Sequence, residues 1–272
     1  MEPIRTAGRG PVVVDDDLVG RIEVRTDPHR RSVRLLEIGG HLHGAVDLER
    51  PQHLALDYLA RMRTVIDALL PAGPSHVLHL GGGAFALPRA LAVHRPELSQ
   101  TVIELSQVII RLAEHELGLH GTDALTVVHD DARTALQRCE DGSADAVVSD
   151  AFIGGQVPRH LGTMEFAAEV ARVLRPRGFY LMNLIDAPDW PVLSAHAATL
   201  RTALPHLLAV AAPAIAQLRA YGNVLLIASR RPLHRATVEW RLRDGIHATQ
   251  LVASARLAAL ASSARPRSDA DG

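Results

Sequence analysis

Three acidic residues stand at or just after the ends of apolar segments in the middle of the chain. Glu104 ends one segment, Asp131 with Ala132 follows the next, and Asp150 follows the third. If these segments are neighbouring strands of a parallel sheet, their carboxyl ends meet along one edge, where ligands bind in this class of fold. Carboxylates gathered there accept hydrogen bonds from hydroxyl and amine groups, and one of them can position a reacting group or take its proton.

A glycine-rich turn precedes the acids along the chain. Gly81, Gly82 and Gly83 follow the apolar segment 76–80, and Glu104 comes 21 residues after Gly83. Glycines let the backbone approach a ligand closely and let the following helix point its amino end at it. The spacing is near that of the acidic residue that holds ribose hydroxyls in nucleoside and dinucleotide pockets. A glycine turn after a strand also occurs for purely structural reasons.

Each acid has an expected role and an ordinary alternative. Glu104 is expected to accept hydrogen bonds from ribose hydroxyls, or to be a solvated residue at a strand end. Asp131 is expected to accept from an exocyclic amine such as that of adenine, or to cap the next helix. Asp150 is expected over the middle of the sheet beside the reacting group. The loop 151–158 after it either closes over the ligand or is a plain connection. A plain dinucleotide-binding domain also fits the glycines, but the three acids together favour a nucleoside pocket.

From residue 76 onward, apolar segments of strand length alternate with helical segments. The predicted strands are 76–80, 100–104, 125–129, 144–149, 178–184 and 221–229, and the clearest helices are 107–117 and 164–174. This alternation is typical of an α/β, Rossmann-like fold with a parallel sheet covered on both faces. Such a sheet would bring the glycine turn and the acids to one edge.

The residues before this region have a different pattern, typical of a small β appendage. Segment 21–46 contains short strands, and Gly39-Gly40 supplies the positive φ of a hairpin turn. An amphipathic helix is predicted to open at Pro51 and to end before Pro71. The predicted organisation is a β-hairpin region at 1–50, a Rossmann-like nucleoside-binding catalytic domain at 51–235, and a C-terminal extension at 236–272 whose last dozen residues form a frayed tail.

Composition narrows the class of partner. The chain has 29 Lys and Arg against 30 Asp and Glu, so a small molecule is a better expectation than nucleic acid or a membrane surface. A single cysteine, Cys139, excludes an internal disulfide and fits a cytoplasmic protein, and residues 1–10 do not support a secretory signal. The 15 histidines are scattered without the spacing of metal ligands, so no metal site is expected.

Five segments carry a resemblance to a known family. They are HVLHLGGGAFALPRAL, QTVIEL, VVHDDARTAL, ADAVVSDAFIGGQVPRHLGTMEFAAEVARVLRPRGFYLMNL and YGNVLLIAS. Together they resemble the spermidine synthase family, especially its divergent bacterial members, over about residues 20–232. The resemblance implies a Rossmann-like S-adenosylmethionine-dependent methyltransferase fold with an N-terminal β appendage. It also implies a homodimer that moves an aminopropyl group from decarboxylated S-adenosylmethionine to the amine of putrescine.

The resemblance also implies roles for individual residues. Gly81 to Gly83 would approach the co-substrate, Glu104 would hold its ribose, and Asp131 with the adjoining Ala132 would hold adenine. Asp150 would position the attacking amine and help to deprotonate it. Two residues of the appendage side, Tyr58 and His43, would contact the acceptor.

Several positions depart from the family pattern. The acid of the usual GGGDG loop is replaced by Ala84, and the second acid after the fourth strand is replaced by Ile153. Ser106 replaces the acid at the end of the VEID motif, His43 replaces a glutamine, and only Tyr58 remains of a Tyr-His-Glu motif. Three interpretations therefore stay open: an aminopropyltransferase with this or another amine acceptor, a methyl- or aminocarboxypropyltransferase that uses intact S-adenosylmethionine, and a noncatalytic binding protein on the same fold.

Overall fold

The computed structural model describes residues 10–119, 125–243 and 247–271, and its first sheet is a four-stranded antiparallel appendage. The strands are β1 (Val12–Asp16), β2 (Gly20–Thr26), β3 (Val33–Ile38) and β4 (His41–Asp47), paired in that order. The turn between β3 and β4 has positive φ at Gly39 and Gly40, as the sequence predicts. Strand β1 was not predicted, because its three consecutive valines do not alternate with polar residues.

Helix α1 (Asp57–Leu69) connects the appendage to the rest of the molecule. The prediction that it opens at Pro51 is wrong, because a turn occupies the preceding residues. The carboxylate of Asp47 accepts hydrogen bonds from the amides of Glu49 and Arg50, both at 3.2 Å, and this turn carries the chain away from the sheet before the helix begins. The helix ends before Pro71, as predicted.

The central sheet has eight strands. They are β5 (Ser75–Leu80), β6 (Leu98–Glu104), β7 (Leu125–His129), β8 (Ala144–Ser149), β9 (Leu174–Asp186), β10 (His206–Ala211), β11 (Gly222–Ser229) and β12 (Gln250–Leu251), in the order β12-β10-β11-β9-β8-β5-β6-β7. Five neighbouring strands are parallel to one another, namely β9, β8, β5, β6 and β7. The other three strands, β11, β10 and β12, are each antiparallel to the strands beside them. The expectation of a wholly parallel sheet is wrong at this end, because the link between β10 and β11 is too short for a parallel crossover.

Helices pack on both faces of this sheet. They are α2 (Ala86–His94), α3 (Gln107–His115), α4 (Ala132–Arg138), α5 (Met164–Val173), α6 (Pro191–Leu200), α7 (Pro213–Ala216), α8 (Arg235–Arg243) and α9 (Ser254–Ser263). The side chains of Ser106, Asp131 and Thr163 accept hydrogen bonds from backbone amides at the starts of α3, α4 and α5. Such caps satisfy amides that have no partner within the helix.

The hydrophobic core consists of two layers separated by the central sheet. Neighbouring strand residues point to opposite faces, so Val77 and Val148 belong to the layer under α1, whereas Leu78 and Val147 belong to the layer that contains the fully buried Trp190. Because both faces are covered, the inner parallel strands β5 and β8 are buried almost throughout, whereas the edge strand β7 is partly exposed.

The end of the chain is fastened to the sheet domain. The prediction of a frayed tail is wrong for the described residues, since the carbonyl of Arg267 accepts a hydrogen bond from the Met164 amide at 2.8 Å. The carboxylate of Asp269 pairs with Arg133 on α4. Strand β12 also lies in the segment predicted as an extension, yet it pairs with β10. None of the helices in the described parts of the chain is long and apolar enough to cross a membrane.

Candidate active site

The predicted site residues surround one cleft at the carboxyl edge of the central sheet. The cleft has a volume of about 960 Å³, and its lining includes His43, Tyr58, Gly81, Gly83, Glu104, Asp131, Ala132 and Asp150. Gly82 lines a smaller adjoining cavity, to which His43, Tyr58 and Asp150 also contribute. The structure thus brings together, in space, residues from β4, α1 and the ends of β5 to β8.

The glycine turn after β5 is shaped by close backbone contacts. Gly81 has a φ of 91°, and a Cβ atom there would lie 2.8 Å from the carbonyl oxygen of Asp150. A Cβ atom at Gly82 would lie 2.6 Å from the ring of Phe85. Phe85 itself is fully buried with a φ of 56°, an uncommon conformation for a residue other than glycine, and it starts α2. Two of the three glycines are therefore required by packing as well as by any ligand.

Glu104 holds this glycine turn in place. Its Oε2 atom accepts hydrogen bonds from the amides of Gly82 at 2.8 Å and Gly83 at 3.3 Å, and its Oε1 atom accepts from the Ser106 amide at 2.9 Å. The residue is 7% exposed, which excludes the solvated alternative. Each carboxylate oxygen has more than one lone pair, so Glu104 can still accept a hydrogen bond from a hydroxyl in the cleft.

Asp131 uses both oxygens of its carboxylate. The Oδ1 atom accepts from the amides of Arg133 and Thr134, both at 3.0 Å, so the helix-cap alternative is present in the structure. The Oδ2 atom is 2.8 Å from Nε2 of His160. Burial acts to raise the pKa of Asp131, but the hydrogen bonds from Thr134 and His160 outweigh it, and the pKa is lowered overall. Asp131 is therefore a negatively charged acceptor at neutral pH.

Asp150 lies at the centre of the cleft and has neutral hydrogen-bond partners. The Tyr58 hydroxyl donates to Oδ2 at 3.0 Å, and the Asn183 amide donates to Oδ1 at 2.8 Å. Asn183 in turn accepts a hydrogen bond from the side chain of Asn223 at 3.1 Å. Burial raises the pKa of Asp150 above its ordinary value, and the two hydrogen bonds offset only part of this effect. Neither partner carries a positive charge, so the carboxylate keeps its charge for a ligand.

The appendage packs against the glycine turn and contributes to the lining of the cleft. A Cβ atom at Gly44 would lie 2.4 Å from Cβ of Ala84, so β4 packs directly on the turn at the position where Ala84 stands, and Ala84 is 3% exposed. His43 is half-buried beside it, and burial followed by the nearby His41 lowers the pKa of its ring. His43 is therefore expected to be neutral at pH 7.

Two turns border the entrance of the cleft. In the predicted covering loop, Ile153 and Gln156 exchange backbone hydrogen bonds around a turn and Ile153 is 40% exposed. Leu18, in the turn between β1 and β2, also lines the cleft and is 51% exposed. That turn is fixed to the start of α3, because the Ser106 hydroxyl donates to Asp16 Oδ2 at 2.7 Å. Each turn thus contributes an exposed apolar side chain to the cleft lining.

Sequence reasoning missed several side chains of the cleft. Among them are His160, Asn183, Asn223 and Leu18. Asn183 stood out in the sequence as the one amide within the apolar segment 179–185, and Asn223 lies in the late segment that carries the family resemblance. The contact between them depends on the antiparallel pairing of β9 with β11, which was not predicted. In the described parts of the chain, no three His, Cys, Asp or Glu side chains come together as metal ligands.

Comparison with known proteins agrees with this architecture. Residues 78–182 match the family described as a methyltransferase domain. The polyamine aminopropyltransferase of Vibrio vulnificus is 27% identical over 139 residues, which are 50% of this chain and 46% of that protein. The enzyme of the same name from Chromobacterium violaceum is 29% identical over 157 residues, which are 56% of this chain and 58% of that protein. The matches thus span about half the length of these curated relatives.

A solved structure matches almost the entire chain. The crystal structure of a probable spermidine synthase from Corynebacterium glutamicum has a TM-score of 0.86 and 26% sequence identity, and the match covers 96% of this chain and 97% of that one. It therefore includes the β appendage as well as the central sheet. The chain is thus similar to a probable spermidine synthase over almost its whole length, and residues 78–182 match the methyltransferase domain.

Proposed function

We propose that this protein is a transferase that moves an aminopropyl group from decarboxylated S-adenosylmethionine to an amine bound at Asp150. The observation that carries the proposal is the placement of Asp150. Its carboxylate lies in the cleft beyond the glycine turn, is held by Tyr58 and Asn183, and is not neutralised by a cation. The names of the two curated relatives and of the solved structure support the same reaction.

The donor would occupy the half of the cleft beside β5, β6 and β7. The glycine turn would contact its adenosyl group, Glu104 would accept hydrogen bonds from the ribose hydroxyls, and Asp131 with Ala132 would meet the adenine edge. This assignment is supported by the position of all these residues along one side of Asp150. His160, which contacts Asp131, would lie beside the same edge.

The chemistry needs alignment and a neutral amine more than it needs activation of the donor. The amine nitrogen forms a C–N bond to the carbon attached to the sulfonium as the C–S bond breaks. The electron pair of the broken bond stays on sulfur, neutral methylthioadenosine leaves, and the acceptor nitrogen gives up one proton overall. Asp150 can hold the nitrogen in line with the carbon, which is the main contribution that a protein can make to such a step.

The surroundings of Asp150 suit it to receive the proton. Amines carry a proton at neutral pH, because their usual pKa is near 10. A carboxylate that accepts hydrogen bonds only from neutral groups remains free to pair with this ammonium. Burial raises the pKa of Asp150, and a pKa closer to neutrality makes a carboxylate a better proton acceptor. The proton can then pass to water through the open cleft.

A second candidate function is favoured by Ala84. The side chain at this position is small and buried against Gly44, so the turn presents no acid to the amine end of the donor. A pocket of this kind can admit the carboxylate of intact S-adenosylmethionine, and the protein would then transfer a methyl or an aminocarboxypropyl group. This candidate makes a different prediction about which donor binds.

Parallel calorimetric titrations test the two candidates. The purified protein is titrated with decarboxylated S-adenosylmethionine and, separately, with S-adenosylmethionine. We expect tighter binding of the decarboxylated form. Tighter binding of the intact form would favour the second candidate, and binding of neither would contradict the adenosyl pocket. A cytoplasmic location and a homodimer remain expectations of the sequence.

A further inference from the structure

The cleft continues beyond Asp150, and its walls there differ from those beside the glycine turn. Because β8 lies in the middle of the sheet, the predicted donor residues are on one side of Asp150, and β9, β11 and β10 are on the other. On this second side the cleft is lined by the neutral amides of Asn183 and Asn223 and otherwise by mostly apolar side chains. We call this apolar part the apolar wall, and it consists of Leu56, Ile185, Ala212, Ile215 and Tyr221.

The apolar wall is held by the fold. A Cβ atom at Gly222 would lie 2.6 Å from Cδ1 of Ile215, so this isoleucine rests directly on the backbone at the start of β11. Tyr221 is 68% exposed although it is a large aromatic residue. Apolar surface that faces a cleft gains free energy when an apolar ligand covers it, by about 25 cal/mol per Å². The wall is therefore a surface suited to a hydrocarbon group.

Asp57, an acid that lines the cleft beside Leu56, is already paired. Its Oδ2 atom is 3.4 Å from the guanidinium of Arg61 and its Oδ1 atom is 3.0 Å from Nδ1 of His247. Arg61 is 8% exposed and is fixed by further hydrogen bonds to Ala248 and Thr249. A second ammonium placed here would meet a carboxylate whose charge is compensated and a guanidinium that repels it. Asp150, by contrast, has only neutral partners.

We propose that the acceptor is a primary monoamine with an apolar tail, whose ammonium binds Asp150 and whose tail lies along the apolar wall. This inference rests on the proposed function and specifies its substrate class. The products would be the N-substituted 1,3-diaminopropane, methylthioadenosine and one proton. On this side a diamine would place its second ammonium among apolar side chains, beside the neutral amides of Asn183 and Asn223, or beside Arg61. None of these groups compensates its charge, and desolvating a charge without a partner is costly.

A matched pair of amines tests the proposal. n-Pentylamine and 1,4-diaminobutane have the same number of heavy atoms and differ only by a terminal methyl in place of an ammonium. Each is titrated calorimetrically into the protein with and without methylthioadenosine, and each is assayed with decarboxylated S-adenosylmethionine for release of methylthioadenosine. We expect n-pentylamine to bind at least about tenfold more tightly. Equal binding, or tighter binding of the diamine, would overturn the proposal.

Two variants test whether the apolar wall causes the preference for n-pentylamine over 1,4-diaminobutane. Ile215→Thr and Tyr221→Ala should each weaken n-pentylamine binding several-fold and leave 1,4-diaminobutane unchanged. Tyr221 is exposed, so its substitution is not expected to affect folding, and Val93→Thr is the control, since Val93 is 53% exposed and lies outside the cleft lining. If the ratio of the affinities for the two amines is unchanged in both variants, the assignment of the apolar tail to this wall is overturned. The proposed function fails separately if neither amine releases methylthioadenosine, whatever the binding ratio.

Discussion

The Tyr58 hydroxyl donates a hydrogen bond of 3.0 Å to Asp150 Oδ2, joining the helix after the appendage to the end of β8. Burial, and then the negative charge of Asp150, raise the pKa of Tyr58 well above its usual value, so the phenol remains a donor at neutral pH. Helix α1 therefore does more than connect the appendage to the central sheet. It supplies one of the two groups that orient the carboxylate of Asp150.

Tyr58→Phe tests this contact through the pH profile. The hydrogen bond from Tyr58 lowers the pKa of Asp150, so its loss should raise that pKa. If turnover needs the ionised carboxylate, the acidic limb of kcat/KM should move to higher pH in the variant. If kcat/KM falls by the same factor at every pH and the acidic limb does not shift, Tyr58 acts only on structure.

Glu104→Ala tests the ribose assignment. We expect the affinity for methylthioadenosine to fall by about 1.5–3 kcal/mol, because a charged acceptor of hydroxyl hydrogen bonds is lost. The amides of Gly82 and Gly83 also lose their partner, so the glycine turn should loosen. Glu140→Ala, at an exposed position outside the cleft, is the matched control. Calorimetry that finds the same affinity in both variants would remove Glu104 from the donor site.

Substitutions at Asp131 separate its two roles. Asp131→Asn keeps an oxygen for the helix cap but removes the charge beside His160, so we expect weaker nucleoside binding with little change in thermal stability. Asp131→Ala should lose the same affinity and in addition about 1 kcal/mol of stability, the usual effect of removing a cap. If Asp131→Asn binds methylthioadenosine as the wild type does, the cap is the residue's whole function.

The contact between Gly44 and Ala84 predicts a compensating pair of substitutions. Gly44→Ala would place two Cβ atoms 2.4 Å apart and push the appendage from the glycine turn. Overpacking of this kind costs about 1–3 kcal/mol, measured as the free energy of unfolding. Ala84→Gly in the same chain should restore most of the loss. Gly10→Ala has open space around it and should be neutral, and a Gly44→Ala variant as stable as that control would show that this contact is not tight.

The parallel part of the sheet could be predicted because its inner strands are buried on both faces. The strands β5 to β8 appear in the sequence as short apolar segments that end in an acid or are followed by glycine or an acid, and their positions agree closely with the predicted ones. Strand β10 was missed, because its Leu-Leu-Ala-Val segment does not distinguish a strand from a buried helix. Strand β12 has only two residues, and its pairing depends on the tertiary structure alone.

The site, like the sheet, could be predicted only in part. The acids that follow strands could be identified from the sequence, because the ends of the parallel strands could be predicted. The partners of those acids could not, since the contacts of Asp150 with Tyr58 and Asn183 join residues that are 92 and 33 positions apart. The role of Glu104 in holding the glycine turn likewise follows only from the positions of the backbone amides.

The role of Asp150 in turnover is tested by the variant Asp150→Asn, assayed for release of methylthioadenosine from decarboxylated S-adenosylmethionine with an amine acceptor. Because burial raises the pKa of Asp150 in the folded state, its ionised form is a cost to stability at neutral pH. The neutral asparagine should therefore leave the melting temperature unchanged or slightly higher, and this advantage should shrink as the pH is lowered. We predict that turnover falls by roughly 100-fold or more. Turnover equal to that of the wild type, in a folded variant, would show that Asp150 neither positions the amine nor receives its proton.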